Sequence, residues 1–193
     1  MKFSQPGLYH VYNRGINKQP IFFSPEDYLH FKSLCQKYIA SRCQIIAWCL
    51  MPNHFHFFIN ADEASLEPMI WGGNQMPALS NGFQLLQSSY AKSINYKGNR
   101  TGNLFQQKTK SKIIEDHSHA ITAFWYLHQN AVKDGLVGNM WDWEHSSYLD
   151  YCGLRTNSLC NVTLGKLFLK LCETDFVKMD GIELKEEDIN EIF

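Results

Sequence analysis

Apolar and polar positions change period several times along the chain, and each change marks an element. Residues 8–13 (Leu-Tyr-His-Val-Tyr-Asn) mix aromatic and β-branched positions in near alternation and stop at Arg14-Gly15, which predicts a strand and a turn. Ser24-Pro25-Glu26-Asp27 then opens a helix, with a Ser cap, Pro at the first helical position and acids in the first turn. Tyr28, Phe31, Leu34, Cys35 and Tyr38 recur at helical spacing and carry it to about residue 40. The unbroken apolar run Ile45-Ile46-Ala47-Trp48-Cys49-Leu50 has the length of a buried strand, Met51-Pro52-Asn53 breaks it, and residues 54–60 form a second strand, so the pair predicts a hairpin.

Residues 61–78 hold Pro68, Gly72, Gly73 and Pro77 and read as an irregular connection with one helical turn at most. A helix is expected over 79–95, a glycine-rich loop over 96–102 and an extended stretch over 104–114. Asp116 caps a further helix over 117–133, which Gly135 ends. The order strand, helix, two strands, helix, loop, helix favours an α+β sheet with helices on one or both faces over a parallel doubly wound fold. Beyond residue 153, Leu164, Leu167, Phe168, Leu171 and Cys172 repeat at helical spacing and predict an amphipathic helix that docks on the core or on a partner.

Composition narrows this picture. A chain of 193 residues that is 45% hydrophobic and 14% aromatic can bury one substantial core but not a second full domain, so the expectation is one domain over 1–153 and a helical appendage over 154–193. No run approaches the roughly 18 apolar residues of a membrane span, and residues 1–7 are too polar and short for a signal sequence, so the expected location is the cytoplasm. The six cysteines show neither a CxxC pair nor the density of a disulfide scaffold, which excludes a zinc finger and predicts buried free thiols. Trp141 and Trp143 are read as packing residues.

A formal net charge of -1 does not by itself favour a nucleic-acid partner, but the charges are unevenly placed. Residues 156–193 carry 4 basic against 8 acidic side chains, with an acid-rich helix start at Lys185-Glu186-Glu187-Asp188. Lys92, Lys97, Arg100, Lys108, Lys110 and Lys112 fall in one stretch that contains no acid, with Tyr96 and Phe105 interleaved. That combination suits a phosphate backbone flanked by stacking bases.

Two constellations carry chemistry. His54 and His56 are two apart on an expected strand, so both imidazoles project to one side while Phe55 and Phe57 project to the other. Neutral imidazole is a common metal ligand, and two of them leave positions for water or a phosphate oxygen. Tyr126 and Asn130 are four apart on an expected helix and share a face. Spacing alone does not separate either pair from ordinary surface histidines or a half-buried aromatic.

What separates them is a resemblance. Cys49-Leu50-Met51-Pro52-Asn53-His54-Phe55-His56-Phe57-Phe58-Ile59 resembles the MPNH-hydrophobic-H signature of single-tyrosine HUH transposases, in particular the REP-associated tyrosine transposases related to the IS200-like group. Four further stretches resemble that family in the same order: Tyr9-His10-Val11-Tyr12-Asn13-Arg14-Gly15, Asn103-Leu104-Phe105-Gln106, the run from Tyr126 through Asn130 to Val137, and Trp143-Glu144-His145-Ser146-Ser147-Tyr148. Together they span about residues 8–153.

The resemblance implies a ferredoxin-like antiparallel sheet flanked by helices, with the His-x-His pair on a central strand and the catalytic tyrosine on a following helix. It also implies Tyr126 as nucleophile, His54, His56 and Asn130 as ligands of Mg2+ or Mn2+, and single-stranded, hairpin-bearing DNA as substrate for a monomer or homodimer. Ala131 stands where the family commonly has Pro, which lets the helix continue. Arg14 and the basic stretch are the DNA-binding candidates, and Tyr90 and Tyr96 are rival nucleophiles. The competing functions are a catalytically silent HUH-fold DNA-binding protein and a metal-dependent hydrolase with water as nucleophile.

Overall fold

The structure, a computed structural model, describes residues 3–178. Its centre is a four-stranded antiparallel sheet of β1 (Gly7–Arg14), β2 (Gln44–Met51), β3 (His54–Ala61) and β6 (Lys110–Ile114), in the order β2-β3-β1-β6. Helix α1 (Pro25–Tyr38) connects β1 to β2, and α3 (Ala78–Lys97) lies between β3 and β6. This strand-helix-strand repeat with split crossovers is the ferredoxin-like α+β arrangement.

Strand alternation divides the sheet into two unlike faces. Cross-strand partners share a face, so Val11 with Phe57 and Tyr9 with Ile59 point one way, while Tyr12 with His56 and Arg14 with His54 point the other. The first face is apolar and lies under α1 and α3: Phe55 meets Phe31, and Phe57 meets Phe83. Phe31, Phe55, Phe57 and Phe83 are fully buried, and each contributes about 1.5–3 kcal/mol by leaving water. Gly82 permits this packing, because a Cβ there would stand 2.5 Å from the Tyr38 carbonyl of α1.

The second face carries α4 (His117–Lys133), which packs on β2 and β3. Asp116 caps α4 by accepting from the backbone of Ser118 and His119, and Gly135 at φ 68° closes it, as the sequence pattern predicts. The helix continues unbroken through Ala131. His128 of α4 lies 2.8 Å through Nε2 from Ser147 Oγ, and Ser147 Oγ in turn accepts from the Trp48 backbone N–H of β2 at 2.9 Å. The Trp-Glu-His-Ser-Ser-Tyr stretch therefore serves the fold, running along the outer edge of β2 and pinning α4 to the sheet.

Several elements differ from the sequence pattern. Residues 61–78 are not irregular: a short helix α2 (Glu63–Leu66) precedes a hairpin of β4 (Pro68–Trp71) and β5 (Asn74–Pro77), which turns at Gly72-Gly73 with both glycines at positive φ. Of the stretch over 104–114, only Lys110–Ile114 is a strand.

After the short α5 (Tyr148–Tyr151), the amphipathic helix is shorter than its apolar spacing suggested. It is α6 (Val162–Leu169), stopped by Lys170 in the left-handed region, and is followed by α7 (Glu173–Lys178). Leu167 and Cys172 consequently face solvent, against the expectation of a buried apolar stripe and a buried thiol. Trp141 is 41% exposed, whereas Trp143 packs and donates Nε1–H to the Leu50 carbonyl. Phe176 reaches back into the core against Tyr151. The acid-rich run at 185–188 lies outside the described residues.

Candidate active site

The two histidines open β3 immediately after the Pro52-Asn53 turn, and that turn is held rather than loose. The Pro52 carbonyl accepts from the Ile21 and Phe22 N–H groups, and the Asn53 carbonyl from Gly15 N–H at 2.8 Å. Proline cannot take the positive φ of the favoured two-residue hairpin turns, so these bonds from the β1–α1 connection fix the turn and with it the start of β3. His54 and His56 lie side by side on the α4 face, rings edge to face with centroids 4.9 Å apart, and both are buried.

Both Nδ1 atoms are engaged. His54 Nδ1 lies 2.5 Å from Asn53 Oδ1. Because Asn53 Nδ2 donates to the Lys18 carbonyl, the amide oxygen faces the ring and His54 must be the donor, which leaves the lone pair on Nε2. His56 Nδ1 lies 2.8 Å from Nε2 of a third histidine, His10 of β1, whose ring is nearly coplanar with it at an interplanar angle of 4°. Burial holds all three imidazoles neutral: His54 is pulled down to about 4 with help from Arg14, His10 to about 3 with help from Lys112, and His56 well below its ordinary value. Neutral imidazole is the form that ligates metal.

Tyr126 approaches from α4, its ring 6.2 Å from that of His56 and edge to face. Asn130 follows one turn later and is buried; its Nδ2 turns back to the Tyr126 and Leu127 carbonyls, so Oδ1, the ligating atom of an amide, points away from the helix backbone. Lys133 Nζ sits 5.1 Å from the Tyr126 ring centroid. Burial raises the Tyr126 phenol above its ordinary pKa, Asp134 adds to this, and Arg14 opposes it. The phenol is therefore protonated and a weak nucleophile at neutral pH.

The donor set fits a divalent ion. Two imidazoles and one amide oxygen would make a partial shell with room for phosphate oxygens, and amide and phosphate oxygens are the hard donors that Mg2+ and Mn2+ take. Among the described residues, no three His, Cys, Asp or Glu side chains cluster as a metal site.

The structure divides the basic candidates. Arg14 lies on the histidine face opposite His54, and its charge is felt at His54, His56 and Tyr126. Lys110 and Lys112 share that face through their pairing with Tyr12 and His10, and Lys110 Nζ lies 5.6 Å over the Tyr12 ring. Lys92, Lys97 and Arg100 belong to α3 and its end, on the opposite side of the sheet: Lys97 bonds to Asp27 at 2.8 Å, and Arg100 covers Phe23. Lys108 lines a cleft of about 790 Å³ between α3 and residues 102–109.

Of the rival tyrosines, Tyr90 is fully buried under the apolar face and donates to the Ile21 carbonyl, while Tyr96 is 92% exposed near the end of α3. Neither is near the histidines. A tyrosine that the sequence pattern did not single out is near: Tyr12 stacks on His56 at 5.7 Å. His10, Tyr12 and Arg14 alternate along β1, and that period would have placed them on one face had the pairing of β1 with β3 been known.

No protein-family model and no curated protein matches the chain. Among solved structures, one of a REP-associated tyrosine transposase bound to a REP hairpin matches with a TM-score of 0.59 and 16% identity, over 84% of this chain and 90% of that one. The chain has the fold of that transposase. A candidate transposase from Deinococcus radiodurans R1 is more distant, at a TM-score of 0.41 and 13% identity over 69% of this chain and 94% of that one. Among the described residues no helix is long and apolar enough to cross a membrane.

Proposed function

We propose that the chain cuts and rejoins single-stranded DNA, with Tyr126 as nucleophile and His54, His56 and Asn130 holding Mg2+ or Mn2+. The observation that carries this is the meeting of a helix-borne tyrosine with two neutral, lone-pair-bearing histidines on one sheet face, with an amide one turn further along the helix. Two cationic groups, Arg14 and Lys133, also act on Tyr126, which suits a group that must meet a phosphate. The fold shared with a transposase solved on a DNA hairpin supports the same class of substrate for this chain.

The bound ion would draw charge from the scissile phosphate, which a phenol of raised pKa requires. Tyr126 Oη forms a bond to phosphorus as the bond from phosphorus to the 3′ oxygen breaks. The phenol gives up its proton, and the leaving oxygen departs as a 3′-hydroxyl. The strand that carries the 5′ phosphate stays on Tyr126 as a phosphotyrosine ester. Because the ester retains the phosphodiester energy, another 3′-hydroxyl can displace Tyr126 and reseal the strand without a nucleotide cofactor. Arg14, Lys110 and Lys112 line the face on which the backbone would lie.

The test incubates the full chain with a labelled DNA hairpin bearing single-stranded flanks, with Mn2+ or with a chelator. A covalent adduct that forms with Mn2+ and disappears with the chelator is expected. Hairpin binding with no adduct would leave a DNA-binding module instead, and strand cleavage that persists in Tyr126→Phe would indicate a hydrolase.

A further inference from the structure

The Tyr-His-Val-Tyr-Asn-Arg-Gly stretch brings His10 and Tyr12 into the site, and the chemistry above uses neither. His10 is 2% exposed, its Nε2 lies 2.8 Å from His56 Nδ1 with the two rings nearly coplanar at 4°, and Tyr12 stacks on it. A neutral imidazole has one N–H and one lone pair, so this contact has two possible senses. If His10 donated, His56 would carry its own proton on Nε2 and could not ligate a metal there. If His10 accepts, His56 is the Nδ1–H tautomer and its Nε2 lone pair is available. His54 faces no such ambiguity, because Asn53 Oδ1 can only accept. Both rings of the His10–His56 pair are buried, so water has no ready access to replace the contact.

We propose that His10 is a positioning residue: it accepts the Nδ1–H of His56, and so fixes the tautomer and ring orientation in which His56 Nε2 binds the metal. The two ligands are thus held by different devices, an amide of fixed sense for His54 and an imidazole for His56. A histidine ligand commonly donates its second ring N–H to a fixed acceptor, and loss of that acceptor lowers metal affinity about 10- to 100-fold. This inference rests on the metal-site reading above and deepens it.

Two measurements on the full chain test it. In metal-free wild type, long-range ¹H–¹⁵N NMR correlations of the His56 ring should show the proton on Nδ1; a proton on Nε2 would overturn the proposal. Mn2+ binding followed by EPR should weaken at least 10-fold in His10→Phe, which keeps an aromatic ring but has no acceptor. In His10→Gln, whose side-chain oxygen can accept, it should return to within about threefold of wild type. Equal Mn2+ affinity in wild type and His10→Phe would contradict the proposal while leaving the metal site intact. No binding by wild type would remove the metal site and this inference together. Should His10→Phe fail to fold, the wild-type tautomer still decides.

Discussion

The two faces of β3 are built from the same eight residues of strand but under opposite rules. Phe55 and Phe57 point into a dry layer beneath α1 and α3, where burial of apolar surface is itself the stabilising term. His54 and His56 point the other way and are almost as buried, but they keep polar atoms paired with Asn53 and His10 and hold pKa values far below the ordinary imidazole value. Burying such groups costs free energy even when they are hydrogen-bonded, so a sequence selected for stability alone would not place them there. Position on the pleat, one residue apart, separates the half of the strand that holds the fold from the half that is available for chemistry.

The largest effects should come from breaking that division. Phe57→Ala should cost about 3–5 kcal/mol in denaturant unfolding, the usual range for a large aromatic removed from a packed core. The double variant His10→Leu/His56→Leu replaces both partners of a polar contact by apolar groups and should stay within about 1 kcal/mol of wild type while losing Mn2+ binding. A double variant as unstable as Phe57→Ala would mean that the two faces do not differ in the way described.

Next in size is the attachment of α4. His128→Ala removes one partner of Ser147 Oγ, which keeps its bonds to the Trp48 backbone, and empties a fully buried site, which together should cost about 1–3 kcal/mol. It should also slow adduct formation, because His128 lies two residues from Tyr126 on the helix that it anchors. Unfolding in denaturant and adduct kinetics on the same preparation check both effects.

The smallest effect belongs to the apolar side. Burial pushes the Asp27 carboxyl up, but hydrogen bonds from Lys97 and from the backbone of Phe23 and Ser24 outweigh it and hold its pKa below the usual range. A carboxylate with a depressed folded pKa contributes stability that is present above its unfolded value and is lost as the pH falls through its folded value. Wild type should therefore lose more stability than Asp27→Asn on acidification below about pH 5, by about 1 kcal/mol or less since Lys97 is solvent-exposed. Parallel acid titrations of the two proteins would show the difference.

The same contrast explains what was legible in the sequence. Alternation in His-Phe-His-Phe, caps at Ser24 and Asp116, and the glycine stop at Gly135 are local signals, and the elements built on them stand where they were expected. Tyr126 with Asn130 on one helical face is equally local. The missed features depend on pairing across the chain. His10 and Tyr12 join the site only because β1 pairs with β3 in a register that puts Tyr12 opposite His56. The basic stretch looked continuous along the chain, yet it spans a helix on one face and an edge strand whose lysines point to the other, so Lys97 lies far from Lys110 and Lys112 in the fold. The β4–β5 hairpin escaped because prolines at both ends and a glycine pair at its turn hide a strand pattern only four residues long on each side.

The central claim is that the tyrosine on α4, and not the one stacked on His56 from β1, becomes linked to DNA. The most direct measurement compares wild type, Tyr126→Phe and Tyr12→Phe on the same labelled hairpin with Mn2+, counting covalent adduct on a denaturing gel and locating it by peptide mapping. Adduct in wild type and Tyr12→Phe, mapped to Tyr126 and absent from Tyr126→Phe, is the expected result; adduct persisting in Tyr126→Phe, or mapped to Tyr12, would contradict the account.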